Sequence, residues 1–325
     1  MSFQEVVGQE AALAQLKKAF INKRISHAYC FAGPEGVGKK KTAFNFAKLL
    51  MCAHVQNEEP CDHCPSCAKV NALNHPDVLV VAPEGQFIKI DSIREACRRL
   101  NLKGFESSKK ILIISEAQSL NEESSNALLK TLEEPSKDTV IILLTDTLKS
   151  ILPTIRSRCQ RIIFQALPES MLKKMLEAQF KLSDAEAIYL VRISMGRLGV
   201  ALKYHEARLF ERKNKILEDV LTPGVPLDKL LATGSLERSE KNLKMDEMLC
   251  VLSSWFRDLM LAKSAVPFKN FINADRKDDI IMASRRYTLS EIEGRISAIA
   301  DTAFENERNI NWRISMANLR MELWK

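Results

Sequence analysis

Apolar residues follow two different periods along the chain, and the change falls near residue 165. Before that point, five short runs are nearly continuous in aliphatic or β-branched residues, as in strands buried on both faces: 28–32, 78–82, 111–115, 140–145 and 161–165. The segments between them carry the 3.6-residue period of amphipathic helices, most clearly at 38–52, 93–100 and 121–132. Strand and helix alternate, which predicts a parallel sheet flanked by helices.

Beyond residue 165 the pattern is helical throughout. Three amphipathic helices are predicted at 168–178, 183–195 and 199–221, followed by a turn-rich break at 222–226. Two broad apolar faces come next. The first comprises Met248, Leu249, Leu252, Trp255, Phe256, Leu259 and Met260, and the second comprises Ile310, Ile314, Ala317, Met321 and Trp324. Such faces more often form internal core than a ligand site, and part of their width is available to another subunit.

Composition changes this picture little. A chain of 325 residues with 46% hydrophobic and 27% charged residues is typical of a soluble protein with two or three domains. The net charge of +7 is spread among acidic residues, so it gives only slight weight to a nucleic-acid partner. No apolar run approaches the ~18 residues that span a bilayer, and the first residues lack the features of a signal peptide. We therefore expect a cytoplasmic protein without a membrane partner.

The first predicted strand runs into a glycine-rich turn that fits the phosphate-binding pattern G-x-x-x-x-G-K-[ST] except at its last position. Three glycines would let backbone N–H groups turn towards phosphate oxygens: Gly33, Gly36 and Gly38. Lys39 would neutralise the terminal phosphates. The last position should supply a hydroxyl to Mg²⁺, but it holds the ammonium of Lys40, and Thr42 lies on another side of the helix. We predict a degenerate phosphate loop, in which nucleotide binding is weak or lost. The alternative is an ordinary glycine-rich turn between a strand and a helix that never binds a ligand.

The end of the third predicted strand carries a second change. Nucleotide hydrolases place there an Asp that orients the Mg²⁺ shell, often followed by a Glu that activates water. Here Ser115 stands at the Asp position, and Glu116 follows it. Both changes remove contacts to Mg²⁺, so we expect ATP not to be hydrolysed by this chain.

Four of the eight cysteines are clustered with the spacing C-x₈-C-x₂-C-x₂-C: Cys52, Cys61, Cys64 and Cys67. Four thiolates this close repel one another unless a cation neutralises them, and four sulfurs suit a closed tetrahedral zinc site with a structural role. An iron–sulfur cluster is the alternative, although its usual cysteine followed by proline is missing. We interpret His54 and His63 as surface residues. The scattered thiols are expected to be small buried hydrophobes: Cys30, Cys97, Cys159 and Cys250.

These residues together resemble the delta-prime subunits of the bacterial DNA polymerase III clamp loader, an AAA+ complex. The resemblance covers the whole chain and rests on the degenerate loop, the cysteine quartet and the triplet of Ser157, Arg158 and Cys159. It implies an α/β fold with a RecA-like parallel sheet domain at 1–165, which contains a zinc module around 52–67. A small helical lid at 166–208 and an all-helical collar domain at 209–325 would follow.

In that family the arginine of the triplet reaches into a neighbouring subunit's ATP site, a role that falls here to Arg158. The resemblance implies a non-hydrolysing component of the DNA polymerase holoenzyme, placed with motor subunits and the delta subunit in a hetero-pentameric ring. The ring would load the sliding clamp onto primer-template DNA. One position departs from the family: its lid pattern carries a nucleotide-binding arginine where this chain has Val200, with Arg197 three residues earlier.

Two other interpretations compete with this one. An active AAA+ motor subunit of the same loader shares the cysteine quartet and the triplet, but Lys40, Ser115 and Val200 argue against it. A zinc-ribbon nucleic-acid binder would carry basic and aromatic residues around the cysteines. The neighbours here are acidic or small: Glu58, Glu59, Asp62 and Ser66.

Overall fold

The computed structural model describes residues 2–102, 104–107, 109–222, 238–308 and 310–324. The chain divides into two compact units. The first comprises Met1–Leu167 with Arg197–Gly199, and the second comprises Pro168–Gly196 with Val200–Lys325. A division into three domains, with a boundary at 208, stays a prediction.

The first unit contains the predicted parallel sheet. Its strands are β1 (Ala28–Ala32), β2 (Val78–Val81), β3 (Lys110–Ile114), β4 (Thr139–Thr145) and β5 (Gln160–Ile163). They are ordered β2-β3-β4-β1-β5, and every neighbouring pair is parallel. The sequence located all five strands to within two residues at each end, because their apolar runs are continuous and bounded by polar residues.

Helices cover both faces of this sheet. They are α1 (Glu10–Ile21), α2 (Lys39–Met51), α3 (Pro65–Asn71), α4 (Ile90–Asn101), α5 (Glu122–Glu133) and α6 (Pro153–Arg156). Side chains of β1 alternate between two cores, with Phe31 packed in the core that contains α2 and Cys30 in the core that contains α4 and α5. Both side chains are completely buried. This period of two fixes β1 between the two helical layers.

The regular elements of the second unit are all helices within its described residues. Its helices are α7 (Glu169–Phe180), α8 (Asp184–Ile193), α9 (Leu198–Glu206), α10 (Leu209–Leu221), α11 (Arg238–Lys263), α12 (Lys277–Ser284), α13 (Leu289–Glu307) and α14 (Trp312–Trp324); the first two residues of α9 are assigned to the first unit. The single helix predicted at 199–221 is wrong. Arg208 has a left-handed backbone (φ 50°) that separates α9 from α10, and an arginine in this conformation has no sequence signature. Of the predicted break at 222–226, residues 223–226 lie outside the described residues.

The two predicted apolar faces differ in their burial. The face on α11 is core as predicted, with Leu252, Phe256 and Leu259 completely buried. The prediction of core is wrong for the face on α14, where Ile314 and Met321 are 58% and 59% exposed. This helix packs instead through a second stripe, formed by Met316, Leu319 and Leu323. Periodicity alone could not choose between two apolar stripes on one helix. None of the described helices is long and apolar enough to cross a membrane.

Candidate nucleotide and metal sites

The glycine-rich loop (residues 33–38) joins the carboxyl end of β1 to the start of α2. Gly36 and Gly38 have φ values of 79° and 100°, which residues other than glycine rarely adopt. A Cβ atom at Gly33 would lie 2.3 Å from the carbonyl oxygen of Phe164. The three glycines that the sequence singled out are therefore required by backbone conformation and by close approach.

Lys39, the first residue of α2, is held by its own chain. Its ammonium donates to the carbonyl oxygens of Gly33 and Pro34, the latter at 3.0 Å, and to Oδ1 of Asp146 at 2.8 Å. Asp146 directly follows β4. This contact could not be predicted from the sequence, because it depends on pairing between β1 and β4, which lie more than a hundred residues apart.

The positions that would bind Mg²⁺ provide few ligands. Lys40 is exposed on the first turn of α2. The hydroxyl of Thr42 is buried and donates to the carbonyl oxygen of Gly38 at 2.9 Å. Ser115 is buried at the end of β3, and its Oγ has no hydrogen-bond partner within the described part of the chain. Glu116, which is exposed, is the carboxylate nearest in sequence.

The four clustered cysteines converge on one point. Their Sγ atoms all lie within 4.8 Å of one another. Backbone N–H groups point at three of these sulfurs: Cys61 N lies 3.3 Å from Cys52 Sγ, Cys64 N 3.3 Å from Cys61 Sγ, and Cys67 N 3.5 Å from Cys64 Sγ. Such donors stabilise thiolates. Cys64 is also the N-cap of α3, so the same residue begins a helix and belongs to the cluster.

This donor set fits a single zinc ion. Zinc at about 2.3 Å from each sulfur sets sulfur–sulfur separations of about 3.8 Å, which small rotations of these side chains would reach. A four-iron cluster places each cysteine on a different iron, so convergence on one point favours one ion. His54 and His63 are exposed and lie outside the cluster, as expected. The four residues would fill all coordination positions, which leaves the site a structural role.

The pKa values of the thiols differ within the cluster as well as outside it, and burial raises those of Cys52 and Cys67. Burial acts to raise the pKa of Cys64, but N–H groups of Cys67 and Ala53 outweigh it and lower that pKa to about 6. Burial raises the pKa of Cys30 to about 11 and that of Cys159 to about 12. The last two stay protonated at neutral pH and act as core residues, as the sequence predicted.

The segment that carries the cysteines is fastened to the helices beside it. Lys48 on α2 is completely buried and forms an ion pair with Asp62, which lies between two of the cysteines. Glu59 accepts hydrogen bonds from the backbone N–H of Phe3 (3.1 Å) and from Lys17 on α1 (2.7 Å). We call residues 52–67 the cysteine module.

Arg158 follows α6 and is partly exposed. Its Nη1 donates to the carbonyl oxygen of Thr154 (2.8 Å), and its Nη2 pairs with Glu133 at the end of α5 (2.7 Å). Two residues later β5 begins at Gln160, which lies beside Tyr29 of β1. The glycine-rich loop starts four residues after Tyr29, about 13 Å along the strand. Arg158 therefore lies near the end of the sheet at which the strands begin, whereas the chain's own loop lies at the end at which they finish.

The lid position carries no charge. Val200 is 7% exposed, and its apolar side chain cannot bind phosphate. The preceding Gly199 donates its N–H to the carbonyl oxygen of Gly36 at 2.8 Å. A Cβ at Gly199 would lie 2.9 Å from that oxygen, so the contact requires glycine.

Comparison with known proteins places this chain in a family. A sequence profile described as "DNA polymerase III, delta subunit" matches residues 8–168. The DNA polymerase III subunit delta' of Bacillus subtilis is 29% identical over 97% of this chain and 96% of its own length. The Pseudomonas aeruginosa subunit delta' is 31% identical over 73% of this chain and 71% of its own. The crystal structure of a DNA polymerase III gamma subunit-related protein from Thermotoga maritima has the same fold, with a TM-score of 0.52, 17% identity, and coverage of 96% of this chain and 98% of its own. The chain therefore belongs to the family of DNA polymerase III delta' subunits.

Proposed function

We propose that this chain is a non-hydrolysing subunit of the DNA polymerase III clamp loader. In this role Arg158 completes the ATP site of a neighbouring motor subunit. The assembly, a hetero-pentameric ring that includes the motor subunits and the delta subunit, loads the sliding clamp onto primer-template DNA. The cysteine module holds one structural zinc ion through Cys52, Cys61, Cys64 and Cys67.

The location of Arg158 carries the proposal. Arg158 lies two residues before β5, whose first residue is beside Tyr29, about 13 Å along β1 from the chain's own glycine-rich loop. We therefore expect Arg158 not to bind phosphate held by that loop. Its side chain is 36% exposed, and Thr154 and Glu133 hold its guanidinium in place. A planar guanidinium offers two parallel N–H donors and keeps its charge at any physiological pH, which suits it to phosphate held by another subunit. In the assembly, phosphate oxygens would replace the carboxylate of Glu133.

The absence of hydrolysis rests on the chain's own loop. Lys40 and Ser115 stand where metal ligands are needed, and Lys39 is engaged by Asp146. Phosphoryl transfer depends on a metal that bridges the phosphates, so the loss of its ligands removes the means of catalysis. These residues argue against the alternative, an active motor subunit of the same loader.

Assembly into a ring is supported by the exposed face of α14. Ile314 and Met321 lie about two turns apart on one side of this helix, and both are more than half exposed. Contiguous exposed apolar surface of this kind commonly marks a protein–protein contact. The face lies in the part of the chain that the family uses as a collar.

The decisive test replaces Arg158 by alanine in the reconstituted loader. Arginine fingers contribute roughly 10³ to 10⁵ in rate at their own site. Only one of several motor sites would lose its finger, so we expect DNA-stimulated ATPase activity and clamp loading to fall by about one site's share. Arg158→Lys should not restore them, because lysine lacks the planar fork. Arg161→Ala removes an exposed arginine three residues away and serves as the matched control.

Assembly must be checked in the same samples by size-exclusion chromatography. An Arg158→Ala loader that assembles and works at the unmodified rate would refute the trans role. The isolated chain is expected to hydrolyse no ATP above background. Turnover that depends on Lys39 would instead favour the motor alternative.

A further inference from the structure

We infer that Asp146 acts as a built-in anion on the glycine-rich loop, and that this carboxylate opposes the binding of triphosphates to the loop independently of the lost metal ligands. The inference goes beyond the role of Arg158, since it concerns the chain's own loop and can be tested without any other subunit.

The ammonium of Lys39 has its donors committed. A lysine offers three N–H donors, and here they meet three acceptors: the carbonyl oxygens of Gly33 and Pro34 and the carboxylate of Asp146. The side chain is only 10% exposed. A phosphate oxygen can therefore reach the ammonium only by displacing one of these partners.

The backbone of the sheet fixes the carboxylate in this place. Ala32 and Thr145 are direct neighbours in the β1–β4 pair, and Gly33 N–H donates to the carbonyl oxygen of Thr145 at 3.2 Å. Asp146 is thus set beside the first residue of the loop. Its other oxygen, Oδ2, accepts from Nε2 of Gln118 at 3.3 Å. The carboxylate is consequently held from two sides, by a lysine on α2 and by a glutamine that follows β3.

Charge explains why this arrangement disfavours triphosphates. A bound γ-phosphate would take over the contacts of Lys39 and would then lie next to a carboxylate that has lost its counter-ion. Asp146 is 52% exposed, so water and salt weaken this repulsion, but at low salt like charges a few ångströms apart still repel one another. Asparagine has the same shape as aspartate and keeps an oxygen acceptor for Lys39, but it removes the charge. Asp146→Asn therefore separates the effect of charge from that of packing.

The experiment measures binding of ATP, and separately of inorganic tripolyphosphate, to the purified full chain without added magnesium. Isothermal titration at low salt compares three proteins: the unmodified chain, Asp146→Asn and Asp138→Asn. Asp138 precedes β4, at the opposite end of this strand from Asp146. Its replacement removes one negative charge without changing any contact of the glycine-rich loop. We expect Asp146→Asn to bind both ligands at least tenfold more tightly, and Asp138→Asn to match the unmodified chain.

Adding Lys39→Met to Asp146→Asn should abolish the gain, because the ammonium that binds phosphate is then absent. Reactivity of the Lys39 amine towards an acylating reagent, followed by mass spectrometry relative to Lys40, gives a second readout. It should rise in Asp146→Asn. Equal affinity of the unmodified chain and Asp146→Asn, or an equal gain in Asp138→Asn, would overturn the inference. Neither result bears on Arg158, which is tested in the assembled loader.

Discussion

The two ends of helix α2 carry two candidate sites that differ in how their polar groups are engaged. At its carboxyl end, the cysteine module keeps four sulfurs aimed at one point, with N–H groups directed at them. At its amino end, the glycine-rich loop keeps its backbone shape, but Lys39 is bound to the chain's own carbonyl and carboxylate oxygens. The backbone of a binding motif can therefore persist after its charged group has been given another partner.

The two ends of α2 also differ in whether the groups that could bind a ligand already have partners of opposite charge. In the module the four sulfurs converge on one point, and mutual repulsion of their thiolates calls for a cation in addition to the backbone N–H groups that donate to three of them. In the loop the only ammonium that could bind phosphate is already satisfied. Convergence of ligand atoms without a counter-ion, more than the order of residues, therefore distinguishes the cysteine cluster from the glycine-rich loop.

Removing one sulfur should have the largest effect. Structural zinc contributes about 10–16 kcal/mol in zinc-finger peptides near neutral pH. Cys64→Ser removes a sulfur of the cluster but keeps a hydroxyl that can cap α3, so we expect loss of zinc and rapid proteolysis within residues 52–67, while the α/β sheet stays folded. The measurements are metal content per chain and limited proteolysis, with the unmodified chain holding about one zinc ion.

Cys250→Ser is the matched control, because this half-buried cysteine lies on α11 outside the cluster. It should retain full zinc content. Iron in the unmodified chain, or a Cys64→Ser protein with an unchanged zinc content and proteolysis rate, would contradict the assignment.

Breaking the ion pair between the cysteine module and α2 should have the next largest effect on stability. The size of the loss should depend on which of the two residues is replaced. Lys48 is 0% exposed whereas Asp62 is 33% exposed. Asp62→Asn leaves a completely buried ammonium without its carboxylate, which costs about 3–5 kcal/mol of unfolding free energy in comparable cases. Lys48→Met leaves a carboxylate that water can reach, so its cost should be smaller. Urea unfolding at pH 7 measures both, and equal losses would show that burial of the lysine is not the cause.

The corresponding ion pair near the loop should have the smallest effect. Lys41 and Glu5 are 35% and 50% exposed, so their pair is expected to contribute less than about 1 kcal/mol. The hydrogen bond from Lys41 lowers the pKa of Glu5. A lowered pKa means that the contribution is present above the ordinary carboxyl pKa of about 4.3 and disappears as the pH falls through the lower folded value.

Glu5→Gln should therefore destabilise the chain slightly at pH 7 and by less at pH 3. Urea unfolding at the two pH values checks this. A loss at pH 7 as large as that of Asp62→Asn would remove the distinction between the two ends of α2.

Much of this could be predicted from the sequence, for identifiable reasons. The strands are marked by continuous apolar runs, and the cysteine cluster by spacing within sixteen residues. Both signals are local. Asp146 and Glu133 were missed because their contacts with Lys39 and Arg158 arise only when distant segments meet. The left-handed Arg208 and the outward stripe of α14 were missed because neither the conformation nor the choice between two apolar stripes is written in local composition.

The exposed stripe of α14 bears on the solubility of the chain when it is produced alone. Ile314 and Met321 meet water in the lone chain, and such surface promotes self-association and recognition by chaperones and proteases. Synthesis in excess of its partners would be wasteful, because surplus copies would aggregate or be degraded. Under the proposed assembly, purification should yield more soluble protein when the other loader subunits are produced in the same cells.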